Sequence, residues 1–141
     1  MAMSPSEVFA FLDRTGPALL GVVGTLRTDG SPHVVPVWYR YDGDAVYIWS
    51  DEARGWVRNL RRDPRVAFSV QELEPPYAAV LIRGRAEIRT SDDEEVTAEI
   101  RRITGRYIEG SRVETYIAGW ARLRTIVTIH PERITSWARG Y

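Results

Sequence analysis

Short apolar runs separated by tight-turn signals fill most of this 141-residue sequence. The run 18–27 is rich in Leu and Val and leads into the turn 28–31 (TDGS), and the run 33–41 leads into the turn 42–44 (DGD). Asp-Gly pairs between β-forming runs are typical of hairpins. The pattern therefore predicts an antiparallel, mainly β protein with few flanking helices.

Six or seven strands are expected in a single domain that spans residues 1–141, because the sequence contains no repeat and no linker. Pro36 lies within the second strand, and since proline has no N–H to donate, that strand is predicted to lie at a sheet edge or to bulge. A short helix is expected at about 53–62. The predicted strands, with a break at His130-Pro131 between the last two, are 18–27, 33–41, 45–50, 66–71, 78–88, 123–129 and 133–137.

Three Ser-x-x-Glu patterns predict helix starts at Ser4, Ser91 and Ser111. In such a capping box the serine and the glutamate satisfy each other's backbone N–H groups. Apolar residues follow each box at helical spacing. After the box at Ser111, the residues predicted to share one helix face are Val113, Tyr116, Ile117 and Trp120. Gly110 is predicted to end the second of these helices at its C′ position.

The composition excludes several kinds of chemistry. The chain has no Cys and no Lys, so a thiol nucleophile, a Schiff-base lysine and a Walker-type phosphate loop are ruled out, and two His are too few for a histidine-rich metal centre. Nineteen Arg balance nineteen acidic residues, which gives no support to charge-driven binding of nucleic acid or membrane surfaces. Redox or group-transfer chemistry would need a bound organic cofactor. Without a membrane-length apolar run or a signal peptide, the expected location is the cytoplasm.

The segment 50–65 contains five Arg among three acidic residues, directly after a predicted strand. Strand-to-helix junctions attract anions, and Arg54 at the helix start would hold a phosphate with its bidentate fork. Arg58, Arg61 and Arg62 recur at helical spacing and form one cationic face. The alternative is a solvated face with salt bridges to Asp63 or to the acidic residues within 92–99.

Trp38, Trp49 and Trp56 cluster around the same region of the sequence. They would either wall a flat heterocycle or belong to the barrel core or a dimer interface. His33 is predicted to be exposed and His130 to lie in a loop, and neither is predicted to be a catalyst.

Four segments together resemble the flavin/deazaflavin split-barrel family, also called pyridoxamine 5′-phosphate oxidase-like. They are 24–39 (GTLRTDGSPHVVPVWY), 58–66 (RNLRRDPRV), 83–87 (RGRAE) and 131–133 (PER) with Trp137. The resemblance covers nearly the whole chain in order, and it is strongest to the branch that uses coenzyme F-420, a deazaflavin, instead of FMN.

The resemblance implies a six-stranded antiparallel split β-barrel of the FMN-binding type, which forms a homodimer with two cofactor sites at the subunit interface. On the second strand, Pro36, Val37 and Trp38 would line the ring system of the cofactor. Ser50 and Arg54 would meet the phosphate of the cofactor, and Arg58 and Asn59 would support them from the helix. Tyr77 would lie where the partner subunit closes the pocket.

The sequence departs from the family at Trp56. Family members that bind the cofactor usually carry a basic residue here, often Lys, so a phosphate contact is lost and an indole occupies the space. Arg58 or Arg61 would substitute for it, or the site is weakened or reshaped for another flat ligand. Trp56 is therefore included among the predicted cofactor-binding residues.

The function implied by the resemblance is hydride transfer between coenzyme F-420, as first choice, or FMN and a small unsaturated or heteroaromatic substrate. The alternatives are a non-catalytic flavin- or tetrapyrrole-binding dimer with a degenerate phosphate site, and a structural dimer without ligand. No side chain is assigned as a catalyst or metal ligand; Tyr39, Tyr41 and Tyr77 are unranked candidates for the proton donor.

Overall fold

A seven-stranded antiparallel sheet forms the centre of the computed structural model, which describes residues 1–120 and 124–140. The strand order is β2-β1-β5-β6-β7-β4-β3. The predicted mainly β architecture is therefore confirmed. The strands are β1 (Gly21–Leu26), β2 (Pro32–Val37), β3 (Arg40–Tyr41), β4 (Val46–Asp51), β5 (Arg65–Gln71), β6 (Tyr77–Ser91) and β7 (Arg124–Gly140).

The described ranges contain seven strands, one more than the six-stranded barrel that the resemblance implies. The predicted strand 33–41 is divided in two, and the last two predicted strands form one. Between β2 and β3 the backbone N–H of Tyr39 donates to the Tyr107 hydroxyl, at 3.3 Å, and not to a neighbouring strand. β2 lies at one end of the strand order, where Pro36 pairs with Val22 of β1 alone. The prediction that Pro36 lies on an edge strand is confirmed.

β7 runs without interruption through His130-Pro131, so the predicted break and the loop position of His130 are wrong. The chain accommodates Pro131 with a bulge: Gly84 of β6 pairs with Pro131 while Arg83 pairs with Arg133. The His130 Nε2 atom lies 2.8 Å from a carboxylate oxygen of Glu87 on the neighbouring strand. Of the predicted strand 123–129, Leu123 lies outside the described residues.

Four helices flank the sheet in the described part of the chain: α1 (Pro5–Leu12), α2 (Gly55–Arg62), α3 (Glu94–Thr104) and α4 (Gly110–Ala118). α1 begins with the predicted capping box at Ser4, whose hydroxyl accepts from the Glu7 amide while the Glu7 carboxylate accepts from the Ser4 amide. None of these helices has the length and apolar character needed to cross a bilayer.

The other two predicted helix starts are wrong. Ser91 still belongs to β6, where it pairs with Arg124, and Asp93 caps α3 by accepting from the Val96 amide. α4 begins at Gly110, with Glu109 at its N-cap, so Gly110 opens this helix and does not end the preceding one.

Two apolar clusters fix the elements around the sheet. The larger lies inside the barrel and joins strand residues such as Val23 and Ile48 to α1 and α2. The smaller packs α3 and α4 against β7. A partly buried ion pair also holds α3 to β3, with Arg40 Nε and Nη2 at 2.7 and 2.6 Å from the two carboxylate oxygens of Glu99. The α3–α4 hairpin is therefore anchored beside β4 and the end of β2.

Candidate functional site

A cleft of about 590 Å³ opens between β2, the end of β4, the start of α2, and α4. Its volume is within the range of small-molecule and cofactor sites. The structure brings six of the nine predicted cofactor-binding residues together along this cleft: Pro36, Val37, Trp38, Ser50, Arg54 and Trp56.

One end of the cleft carries hydrogen-bond donors that have no acceptor among the described residues. We call it the anion corner; it is formed by Ser50, Arg54 and the first backbone amides of α2. Ser50 is only 7% exposed, and its hydroxyl has no hydrogen-bond partner among residues 1–120 and 124–140. Arg54 is the N-cap of α2 but makes no side-chain cap, and the amides of Gly55 and Trp56 likewise find no acceptor in the described chain. Free amides at the positive end of a helix favour an anion.

The other side of the cleft is an aromatic wall formed by Trp38, Trp49, Tyr116 and Trp120. The ring centroids of Trp38 and Tyr116 lie 5.2 Å apart, and those of Trp49 and Trp120 lie 4.9 Å apart at 65°. The far face of Trp38 stacks on Tyr107 at 5.0 Å, with only 5° between the planes. Such rings offer large flat surfaces to a planar ligand.

The sequence reasoning missed Tyr116 and Trp120 as site residues. It placed them on the apolar face of a helix together with Val113 and Ile117, which do pack into the smaller core cluster. In the structure α4 ends at Ala118, and Tyr116 on α4 and Trp120 just beyond its end line the cleft instead. The available signal was two large aromatic residues four positions apart, Tyr116 on α4 and Trp120 two residues after its end.

Trp56 serves the core and the cleft together. Only 6% of it is exposed, and it packs into the barrel cluster while also lining the cleft. Neither of the arginines predicted to compensate for the missing basic residue reaches the cleft lining. Arg58 is exposed, and Arg61 pairs with Glu52.

Of the three arginines of α2 in the described chain, only Arg61 forms a salt bridge, and its partner is Glu52 and not one of the predicted acidic residues. Arg61 Nε lies 3.2 Å from Glu52, and this hydrogen bond, with one from Thr90, lowers the pKa of the Glu52 carboxyl. Arg62 donates to the Leu26 carbonyl and to Asn59. Asp63 pairs instead with Arg65, which lowers its pKa to about 2.

The remaining predicted site residues lie away from the cleft, and their cofactor roles stay predictions. Asn59 is buried and donates to the Thr25 hydroxyl at 3.1 Å, which holds α2 against β1. Tyr77 begins β6 and lines a separate cavity of about 400 Å³ with Leu73 and Trp137.

The titratable groups near the cleft also differ from expectation. His33 is half-buried and lines the cleft, so the prediction of an exposed histidine is wrong. Tyr39 is fully buried and donates to the Leu12 carbonyl at 2.7 Å; burial raises its pKa. Tyr41 donates to the Gly43 carbonyl, and neither hydroxyl lines the cleft.

Within the described ranges, no group of three or more His, Asp or Glu side chains is placed to hold a metal ion.

Solved structures share this fold over most of their length. A conserved hypothetical protein from Mycobacterium tuberculosis is 27% identical, with 97% of this chain and 86% of that chain covered and a TM-score of 0.74. A protein named as an F-420 reductase is 25% identical, with 89% and 93% covered and a TM-score of 0.67. An FAD-binding protein from Mycobacterium smegmatis is 22% identical, with 100% and 99% covered and a TM-score of 0.67, a likeness of fold.

The match at the level of sequence families covers nearly the whole barrel. The model of the family described as pyridoxamine 5′-phosphate oxidase aligns with residues 6–138, which include every strand except the last two residues of β7. The chain belongs to the pyridoxamine 5′-phosphate oxidase-like family of split-barrel flavin and deazaflavin proteins.

Proposed function

We propose that this protein is an oxidoreductase that binds coenzyme F-420, or else FMN, in the cleft and transfers a hydride between it and a small unsaturated or heteroaromatic substrate. Family membership and the likeness to a protein named as an F-420 reductase support this proposal. The observation that carries it is the anion corner, where the Ser50 hydroxyl and two backbone amides, all without a partner among residues 1–120 and 124–140, lie beside Arg54.

The residues of the cleft fit a flavin-type group in two respects. The anion corner would hold the phosphate, and no acidic side chain in the described chain lines the cleft to repel it. The aromatic wall and the apolar side chains of β2 would enclose the ring system and exclude water from it. When bound, the reduced cofactor supplies the hydride, while the protein supplies binding and orientation.

The single cation of the cleft favours F-420 chemistry over oxidation of pyridoxamine 5′-phosphate. In the described chain, Arg54 is the only arginine that lines the cleft. A phosphorylated substrate bound together with FMN would place a second phosphate in a site with no second arginine. An F-420 tail of several carboxylates would instead extend from the cleft toward solvent, where Arg58 is exposed.

A fluorescence titration of the ligand-free protein with F-420, and separately with FMN, tests the proposal. We expect saturable binding of F-420, and a loss of about ten- to a hundredfold in affinity in Arg54→Ala, because a hydrogen bond to a charged group contributes about 1.5–3 kcal/mol. Binding of neither compound would overturn the proposal. Binding of F-420 without turnover of any unsaturated substrate by the reduced complex would favour the alternative, a non-catalytic flavin- or tetrapyrrole-binding module.

We also propose that the chain forms a homodimer through the outer face of its sheet. Val22 and Leu81 are 37% and 39% exposed, and the strand register places both in one row across β1, β5 and β6, with Ser69 between them. Val34 on the edge strand β2 is 65% exposed. Apolar side chains gathered on one sheet face mark an interaction surface.

Sedimentation equilibrium of the purified protein tests this dimer. We expect twice the chain mass of 16.1 kDa, and we expect Leu81→Arg to reduce it to the mass of one chain, because the charge cannot be buried without a partner. Thr115→Arg, on the exposed side of α4, is the control and leaves the mass unchanged. A wild-type mass of one chain at micromolar concentration would contradict the proposal.

A further inference from the structure

We infer that Trp120, at the end of the α3–α4 hairpin, is a positioning residue that holds the Arg54 guanidinium at the anion corner. The inference rests on the proposed function, in which Arg54 binds a phosphate. The Arg54 Cζ atom lies over the Trp120 ring, 5.6 Å from its centroid. A cation at this distance is attracted by the negative face of an indole, the strongest of the aromatic partners.

Little else in the described chain holds Arg54 in place. Its side chain is 56% exposed, and its nearest carboxylate is that of Asp51, with 3.8 Å between Nε and Oδ2. That separation exceeds hydrogen-bond distance. Asp51 is itself occupied, since its other oxygen accepts from the Ala53 amide at 2.7 Å. Removing the indole would leave a long, flexible side chain drawn only toward a carboxylate.

The two neighbours of Arg54 have opposite effects on anion binding. Asp51 carries a negative charge and competes with a phosphate for the N–H donors of the guanidinium. Trp120 attracts the positive charge through the face of its ring and uses none of those donors. A guanidinium held by Trp120 therefore keeps its bidentate fork available to the ligand.

Trp120 is well placed for this role because its own position is fixed. Its ring packs against Trp49 at 4.9 Å, and its backbone amide donates to the Ile117 carbonyl at 3.0 Å. Ile117 belongs to the core cluster that binds the hairpin to β7. The orientation of Arg54, at the start of α2, thus depends on packing supplied by a distant part of the chain.

The test measures binding by wild-type protein, Trp120→Leu, Trp120→Phe, Arg54→Ala and the Arg54→Ala/Trp120→Leu double variant. The two probes are F-420 and its phosphate-free deazariboflavin chromophore, with FMN and riboflavin as a second matched pair. We expect Trp120→Leu to weaken F-420 binding by about two- to fivefold relative to the phosphate-free probe, as for a cation–π contact at an exposed site. Trp120→Phe, which keeps a weaker ring, should lie between the two.

The double variant separates positioning from direct contact. We expect Trp120→Leu to cause no further loss in the Arg54→Ala background, because the ring acts through the guanidinium. An equal loss in both backgrounds, or an equal loss for both probes, would overturn the inference by showing that the indole touches the ligand itself.

Different results would show that the proposed function itself is wrong. Wild-type protein that binds neither probe pair, or an Arg54→Ala variant that binds F-420 as tightly as wild type, would overturn the phosphate role of Arg54, and the inference with it. Thermal unfolding without ligand checks that each variant is folded. Should the Leu variant be unstable, wild type against Trp120→Phe in the two Arg54 backgrounds gives the same coupling measurement.

Discussion

Gly84→Ala is expected to destabilise the fold by about 3 kcal/mol, because overpacking against atoms that cannot move aside costs this much or more. A Cβ atom at this position would lie 2.1 Å from the carbonyl oxygen of His130 and 3.1 Å from Cα of Pro131. These are backbone atoms at the bulge of the β6–β7 pair, so the two strands would have to separate. Thermal unfolding should show a midpoint lowered by about 10 °C.

Gly24→Ala is the matched control for this prediction. Gly24 also lies within a strand of the sheet, but its added Cβ would come no closer than 3.6 Å to any atom, which is ordinary contact. We expect its stability to change by less than about 0.5 kcal/mol. Equal unfolding midpoints for the Gly24 and Gly84 variants would show that the bulge yields easily and that the prediction is wrong.

Gly55→Val is expected to abolish cofactor binding without loss of stability. An added Cβ at Gly55 would meet no atom of the described residues within 4 Å, and Gly55 lines the anion corner of the cleft. The valine side chain would occupy the space in front of the two free amides and block their hydrogen bonds to a phosphate. Two charge-assisted hydrogen bonds at about 1.5–3 kcal/mol each correspond to a loss of more than about a hundredfold in affinity.

Gly110→Val tests whether a loss of cofactor affinity in Gly55→Val comes from the position of Gly55 in the cleft. Gly110 is likewise the first residue of a helix, and no atom in the described part of the chain lies within 4 Å of its added Cβ, but Gly110 lies outside the cleft. Titration with F-420 should show wild-type affinity for this variant, and thermal unfolding should show little change in either variant. Wild-type affinity in Gly55→Val would place the phosphate elsewhere.

Predictions from local sequence patterns succeeded where local interactions decide the structure. The capping box at Ser4 is satisfied within four residues, so its helix could be predicted from the sequence. The similar pattern at Ser91 failed because β6 continues through it to pair with Arg124, and strand pairing between distant segments is invisible in a local pattern. Pro131 misled for the same reason, since the close approach of Gly84 lets β7 pass the proline as a bulge.

One side of the candidate site could likewise be predicted from the sequence, and the other side could not. The resemblance to the family located the strand and helix residues that line one side of the cleft, including Pro36 and Arg54. The aromatic wall depends on how the α3–α4 hairpin docks, which is set by the Arg40–Glu99 ion pair and by packing on β7. Periodicity marks a helix face as apolar but does not show that one part of the face reaches a cleft.

The position of β7 in the sheet has a consequence for how this protein is made. β7 lies between β6 and β4, and it pairs Ile129 with Val46 and Arg124 with Asp51. A ribosome therefore releases β4, with β3 paired to it, long before β7 exists, and the barrel cannot close until residues 124–129 have been synthesised. Pairings between such distant segments slow folding, and the waiting strand edges are exposed meanwhile. Refolding of the intact chain should accordingly be slow for its size, and nascent chains that stop before β7 are the form most open to aggregation and to chaperones.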